Sequence, residues 1–233
     1  MIWLLLAAAF IPMVIAVILI RNIEKYNRES WLPIVFVFAW GAIFAAGIVL
    51  LIENFLALHI HDFLILSVLF APFIEEISKP IGLKFFKKQI DEIEDGFVYG
   101  AVAGLGFAAT ENLIYGIRFW DEGLIVLIAL FYTRILGSSM MHASTTALTG
   151  YGYSKKILHK KSFYNLIFYL LIAVGAHALF NLFSYSAQAF NPIIGVVIAV
   201  LFAFILIMFI RNKIIFFDLK KIKIKIKPIE KEI

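Results

Sequence analysis

Seven runs of about 20 mostly apolar residues recur along this chain, and no other feature restricts its fold as strongly. They fall near 2–20, 31–52, 63–83, 96–117, 123–150, 163–185 and 192–210. Runs of this length suit helices that cross a bilayer, where each backbone N–H and C=O must find a partner within its own segment. Outer-membrane barrel strands would instead read as ten-residue stretches of alternating polarity. With 63% hydrophobic and 16% charged residues among 233, no soluble domain fits in what remains. The expected fold is therefore all-α, a polytopic membrane helical bundle of about seven transmembrane helices. It is a single domain over 1–210 with a motif core at 63–185, followed by a basic cytoplasmic tail at 211–233. The first run has no basic residue before it and Arg21 behind it, so it reads as a retained helix rather than a cleaved signal.

Loop charge orients the bundle, because Lys and Arg resist translocation. Of the 21 basic residues, eighteen lie in 21–30, 84–95, 154–162 and from Arg211 onward, whereas the opposite loops hold only Arg118. This bias places the N-terminus outside and the C-terminus in the cytoplasm, and the location is the cell membrane, multi-pass. The strictly alternating Lys and Ile from Lys221 to Lys227 would line one face of a strand, or lie on anionic lipid with about 1 kcal/mol per basic residue. The lipid bilayer is the expected partner, and nucleic acid is not.

Ionisable groups inside the apolar runs mark a functional interior. Between Pro72 and Asn112 the chain carries Glu75, Glu76 and Lys79, with spacings that bring both carboxylates to one ammonium on a helix. Pro80 cannot donate to the carbonyl of Glu76, which frees an acceptor and bends the helix. Further along come Glu111 with Asn112, Arg134, His142 with Thr146, and His177 with Asn181, the last two pairs at four-residue spacing on one helix face. One shared wet cavity satisfies all these groups at the lowest cost. Counted from the cytoplasmic ends, Glu75 and His142 lie about 12 Å deep, His177 about 21 Å and Glu111 about 22 Å. Glu75 and the two histidines are thus expected to cluster, with Glu111 as a partner in the outer half. Gly96, Gly100 and Gly104 form a small-residue stripe along which another helix can approach closely.

A carboxylate beside His in such a cavity can take a proton from water, and a second His or Asn can polarise a carbonyl oxygen. The same side chains could form a zinc site with one open position, although the chain has no His-Glu-x-x-His motif and no cysteine. A proton-coupled transporter or channel would also use buried Glu, Lys and His.

The motifs resolve toward one family. Glu75-Glu76-x-x-Lys79, Asp95-Gly-x-Val-Tyr-Gly100, Gly106-Phe-Ala-x-x-Glu111-Asn112, His142-Ala-x-x-Thr-x-x-x-Gly150 and His177-Ala-x-Phe-Asn181, in this order over about 110 residues, closely resemble the PrsW family of intramembrane proteases. The resemblance implies proteolysis of membrane-anchored proteins, anti-sigma factors in the bacterial case. More distantly it is similar to the glutamate-dependent proteases that trim prenylated CAAX proteins. On that likeness Glu75 activates water, Glu76 is its partner, His142 and His177 bind water and oxyanion, and Asn181 is an oxyanion donor. Lys79, Glu111 and Asn112 support them. Lys79 stands where the CAAX group has Arg one position later. No cofactor is expected; zinc on His142, His177 and Glu75 is the alternative.

Overall fold

A computed structural model describes residues 2–160, 162–189 and 191–226, and the regular elements among them are all helical. The helices are α1 Ile2–Arg21, α2 Trp31–Ala57, α3 over 63–78, α4 Ile93–Arg118, α5 Leu124–Leu136, α6 Ser138–Leu158, α7 Phe163–Ala189 and α8 Pro192–Ile226. Six helical stretches among the described residues are long and apolar enough to cross a membrane, α5 and α6 together forming one of them. The chain is a multi-pass membrane protein.

The expected run 63–83 departs from a uniform helix for a visible reason. Within α3 a π-helical stretch, Leu66–Phe70, precedes α-helix Ala71–Ser78, and from Lys79 the chain tightens into a 3₁₀ stretch reaching Gln89. The change falls beside Pro80, whose missing N–H cannot continue the α-helical ladder. The expected run 123–150 is likewise two helices, broken at Gly137 (φ −110°, ψ −84°), and α6 continues well past 150 to Leu158. α8 passes 210 without interruption and buries Ile210, Ile214 and Asp218, so the helix extends into the stretch read as a tail. The alternating Lys and Ile up to Ile226 lie on this helix and not on a strand; residues 227–233 lie outside the described residues.

α4 is the centre of the bundle, with 78% of its most apolar window buried. A helix that is apolar on every side belongs in an interior. Its glycine stripe lies along α6: Gly104 faces the main-chain carbonyl of His142, Gly100 that of Thr146 and Gly96 that of Gly150. A Cβ at Gly104 would collide with that carbonyl, so the two backbones can meet only because the side chain is absent. The opposite face of α4 meets α2, where Gly106 sits on the carbonyl of Phe38.

The two ends of the bundle differ. At one end the loop after α1 is pinned by Asp218 of α8, which accepts from the N–H groups of Lys25 and Tyr26 at 3.1 and 3.3 Å. There too Ser154 Oγ donates to the carbonyl of Ile93 at 2.8 Å, and Asp95 Oδ2 accepts from the N–H groups of Asp91 and Glu92, both at 2.9 Å. The basic loops therefore gather at this end. At the other end an open cavity of about 750 Å³ begins among Asn54, Phe63, Arg118 and Tyr185 and reaches down to Glu75 and His177.

Candidate active site

The floor of that cavity is a continuous chain of charged groups and histidines taken from five helices. Glu75 and Glu76 lie at the end of α3, with Lys79 one turn on. The Lys79 Nζ is 2.8 Å from Glu75 Oε2, 2.8 Å from Glu76 Oε1 and 2.8 Å from His142 Nδ1. It also sits 4.4 Å from the centre of the Phe107 ring, whose face favours a cation. Lys79 and Glu76 are wholly buried. Two buried carboxylates around one ammonium, closed above by an aromatic face, explain how a charge this deep is tolerated.

The two glutamates are not equivalent. Glu76 Oε1 accepts from Lys79, from Thr145 Oγ1 at 2.9 Å and from His177 Nδ1 at 2.9 Å, and its Oε2 accepts from Thr146 Oγ1 at 3.1 Å. Its acceptor sites are filled by fixed protein groups. Glu75 instead lines the cavity, retains 8% side-chain exposure, and has Lys79 as its close partner, with His142 Nδ1 at 3.6 Å and His177 Nε2 at 3.9 Å. Of the two, Glu75 is the one that meets the cavity.

Hydrogen-bond chemistry also fixes the histidine tautomers. An ammonium has only hydrogens to offer, so His142 Nδ1 accepts from Lys79 and the ring proton is on Nε2. That proton is donated to Glu111 Oε2 at 2.6 Å. The His177 Nδ1, facing the Glu76 carboxylate, is the donor, which leaves its Nε2 as an acceptor toward Glu75. The two rings stand edge to face, 5.0 Å apart and 89° to one another.

Glu111 is part of the same chain and not a separate outer partner. It pairs with Arg134 at 2.8 Å, and Arg134 donates to Asn112 Oδ1 at 2.7 Å and lies 4.0 Å from the Tyr115 ring centre. The depth expectation misplaced Glu111 because helices outlast their apolar runs. Measured from Leu158, the end of α6, His142 lies about 24 Å deep, close to Glu111 at about 27 Å from the start of α4. Asn112 Nδ2 donates to Ser139 Oγ at 3.1 Å and braces this arm. Asn181 lines the cavity and donates to the main-chain carbonyl of Ser67 at 2.7 Å, apart from the Glu75 cluster.

Sequence reasoning missed Thr145, Ser139, Phe107 and Glu53. Thr145 adjoins the residue singled out for its spacing, and only the three-dimensional register shows that both hydroxyls reach Glu76. Glu53 lies one residue beyond the expected second run, but α2 continues to Ala57 and carries it into the cavity wall. Its Oε1 is buried without a hydrogen-bond partner among the described residues.

A polytopic bundle that encloses a fixed, charged cluster beneath an open cavity is a membrane protein built to act on something within or beside the bilayer. The chain belongs to the PrsW family intramembrane metalloproteases, whose family model matches residues 29–209. Over 155 residues it is 28% identical to the protease PrsW of Clostridioides difficile (strain 630), a match that covers 63% of each chain. The chain thus matches less than two thirds of that relative's length. No solved structure matches it.

Whether a metal fits can be judged from the donor atoms. Glu75, Glu76, His142 and His177 each offer an atom within 4.8 Å of the others, which is close enough to hold an ion. The ammonium of Lys79, however, is already 2.8 Å from three of those four groups and takes the lone pair of His142. Zinc on His142, His177 and Glu75 would have to displace Lys79, leaving a second cation buried beside the first. The residues as arranged do not fit a metal while Lys79 is in place.

Proposed function

We propose that this chain is an intramembrane endopeptidase that hydrolyses a peptide bond in membrane-anchored proteins, with water activated by Glu75 and no metal. The observation that carries the reading is the contrast between Glu76, saturated by four fixed donors, and Glu75, which faces the cavity 3.9 Å from the unused acceptor of His177. A water between them donates one hydrogen to Glu75 and the other to His177 Nε2, with its lone pair directed at a carbonyl carbon in the cavity. Glu75 takes the proton as the oxygen adds, then returns it to the leaving nitrogen as the C–N bond breaks. Asn181 Nδ2 has a second hydrogen beyond the one given to Ser67 and is suited to the developing oxyanion. Lys79 sets its positive charge 2.8 Å from each carboxylate. His142, with both nitrogens engaged, couples Lys79 to Glu111 and Arg134 and acts as a positioning residue.

The same reading orients the molecule. Gathering of the basic loops at one end supports a cytoplasmic location for that end, with seven passes counting α3 and the N-terminus outside. The cavity mouth is at the opposite end, so cleavage occurs from the outer side of the membrane. A reporter fused at Lys160 is expected to read out as cytoplasmic and one at Asp121 as external; reversal of either ends this orientation. The proposed activity is tested by cleavage of a single-span reporter protein in lipid. Wild-type rates in a folded Glu75→Gln protein would remove the mechanism.

A further inference from the structure

Glu53 lines the cavity, yet neither the charged chain in its floor nor the proposed chemistry uses this residue. It lies on α2, one turn before the end of that helix at Ala57 and next to Asn54 at the cavity mouth. Ala46, Val49, Leu50 and Glu53 follow the i, i+3, i+4, i+7 pattern of a single helix face. That face is one wall of a side pocket of about 40 Å³; Phe107 and Ile114 of α4 form another, and Glu75 and Glu111 line it as well.

The three acids of this pocket differ in their partners. Glu75 has Lys79 at 2.8 Å, and Glu111 has Arg134 at 2.8 Å. Among the described residues Glu53 has no ion pair, and its buried Oε1 has no hydrogen-bond donor. The charges that bear on it are Glu75 and Glu111, of its own sign, and Lys79, which is already shared by Glu75, Glu76 and His142. Arg118 belongs to the mouth of the cavity and is exposed to solvent there. A partly buried carboxylate without a counter-charge gains most from a cation that arrives within hydrogen-bond distance, and the open side of this pocket is the path of the substrate.

We propose that Glu53 is a specificity-determining residue that receives the ammonium of a substrate lysine close to the scissile bond. A pocket of this volume admits a group about the size of a water molecule, which suits a compact ammonium better than a planar guanidinium. Ala46, Val49 and Leu50 offer an apolar wall to the four-carbon stem, and Glu53 meets the charged head. Because Glu53 and Glu75 line the same pocket, the lysine stands within about two residues of the bond on which Glu75 acts, at about 3.4 Å per extended residue. The inference rests on the proteolytic reading and adds to it a preference for one class of side chain.

The test uses the full chain in lipid with a single-span reporter whose cleaved bond is located by mass spectrometry. The two residues on each side of that bond are set in turn to Lys, Met or Glu, and kcat/KM is compared. Wild type should favour Lys over Met at one of these positions by at least about 10-fold, and Lys over Glu by more. Glu53→Gln removes the charge and Ala46→Leu fills the pocket, and each should bring the Lys to Met ratio to within about twofold of one. Glu75→Gln should lower cleavage of every reporter. A wild type that cleaves without preferring Lys at any position overturns this inference alone, a result that needs no variant to fold. So does a preference that survives in Glu53→Gln or in Ala46→Leu. A wild type that cleaves no reporter, or a Glu75→Gln protein that cleaves at the wild-type rate, removes the proteolytic reading and this inference with it.

Discussion

The molecule buries two groups of carboxylates and treats them in opposite ways. In the cavity floor, anion and cation alternate from Glu75 through Lys79 to Glu76, and from Glu111 to Arg134, and threonine hydroxyls and histidines supply the remaining hydrogen bonds. At the basic end, Glu24, Glu29 and Asp95 face one another, and Arg21 and Arg28 hold main-chain carbonyls. The first group carries its own counter-charge within its sequence motif; in the second, the nearest arginine N–H groups are spent on the backbone. Burial of charge is therefore not one phenomenon here, and removing a single group should have opposite signs in the two places.

The largest expected effect is on turnover. Glu75→Gln should lower reporter cleavage by at least about 100-fold with the bundle still folded, as judged by monodispersity and helical circular dichroism. Glu76→Gln should differ by lowering melting temperature as well, because four donors lose an ionised acceptor. Equal thermal stability of the two variants would break the division between the glutamates.

Next in size is the cation. Lys79→Met leaves two carboxylates buried without their ammonium and should destabilise the bundle by about 3–5 kcal/mol. Glu29→Gln replaces a carboxyl whose ionisation burial opposes with a neutral amide and should stabilise the fold by about 1 kcal/mol. Denaturation of both variants side by side sharpens the comparison, and a loss of stability in each would erase it.

A pH dependence follows at the basic end. Burial, with Asp95 nearby, pushes the Glu29 carboxyl from 4.5 up to about 8. The folded state thus holds this proton more tightly than the unfolded chain. The stabilisation is fully present below about 4.5 and is lost as pH rises through about 8. Melting temperature should decline over that window, and the decline attributable to this group should vanish in Glu29→Gln.

The smallest effect is expected from chelation on the chemistry itself. With Lys79 occupying the centre of the donor set, the initial rate per folded molecule should stay within about twofold after chelator treatment. Abolition of activity, with restoration by zinc, would show that Lys79 yields its place to a metal.

The two groups were unequally legible in the sequence. Glu75, Glu76, Lys79, His142 and His177 announce themselves because a charge in an apolar run has no neutral explanation, and helical spacing alone brings Lys79 to both glutamates. Glu111 was visible as a residue but not as a neighbour of His142, since depth depends on where α6 ends and the apolar run stops eight residues earlier. Glu24, Glu29 and Asp95 were not legible as a group. Acids in a charged loop look solvated, and their burial arises from packing of that loop across α4 and α8, a long-range event without local periodicity.

The glycine seam between α4 and α6 has a mechanical consequence. Where carbonyls rest directly on Gly96, Gly100 and Gly104, no side chain is present to change rotamer and take up a displacement, so that half of the protein is stiff. The interruptions lie across the cavity, where α3 contains its π-helical stretch and Gly137 breaks the path from α5 to α6. His142, its own carbonyl resting against Gly104, belongs to the rigid side of the cavity, and the helices opposite it are the ones with a break in their ladder.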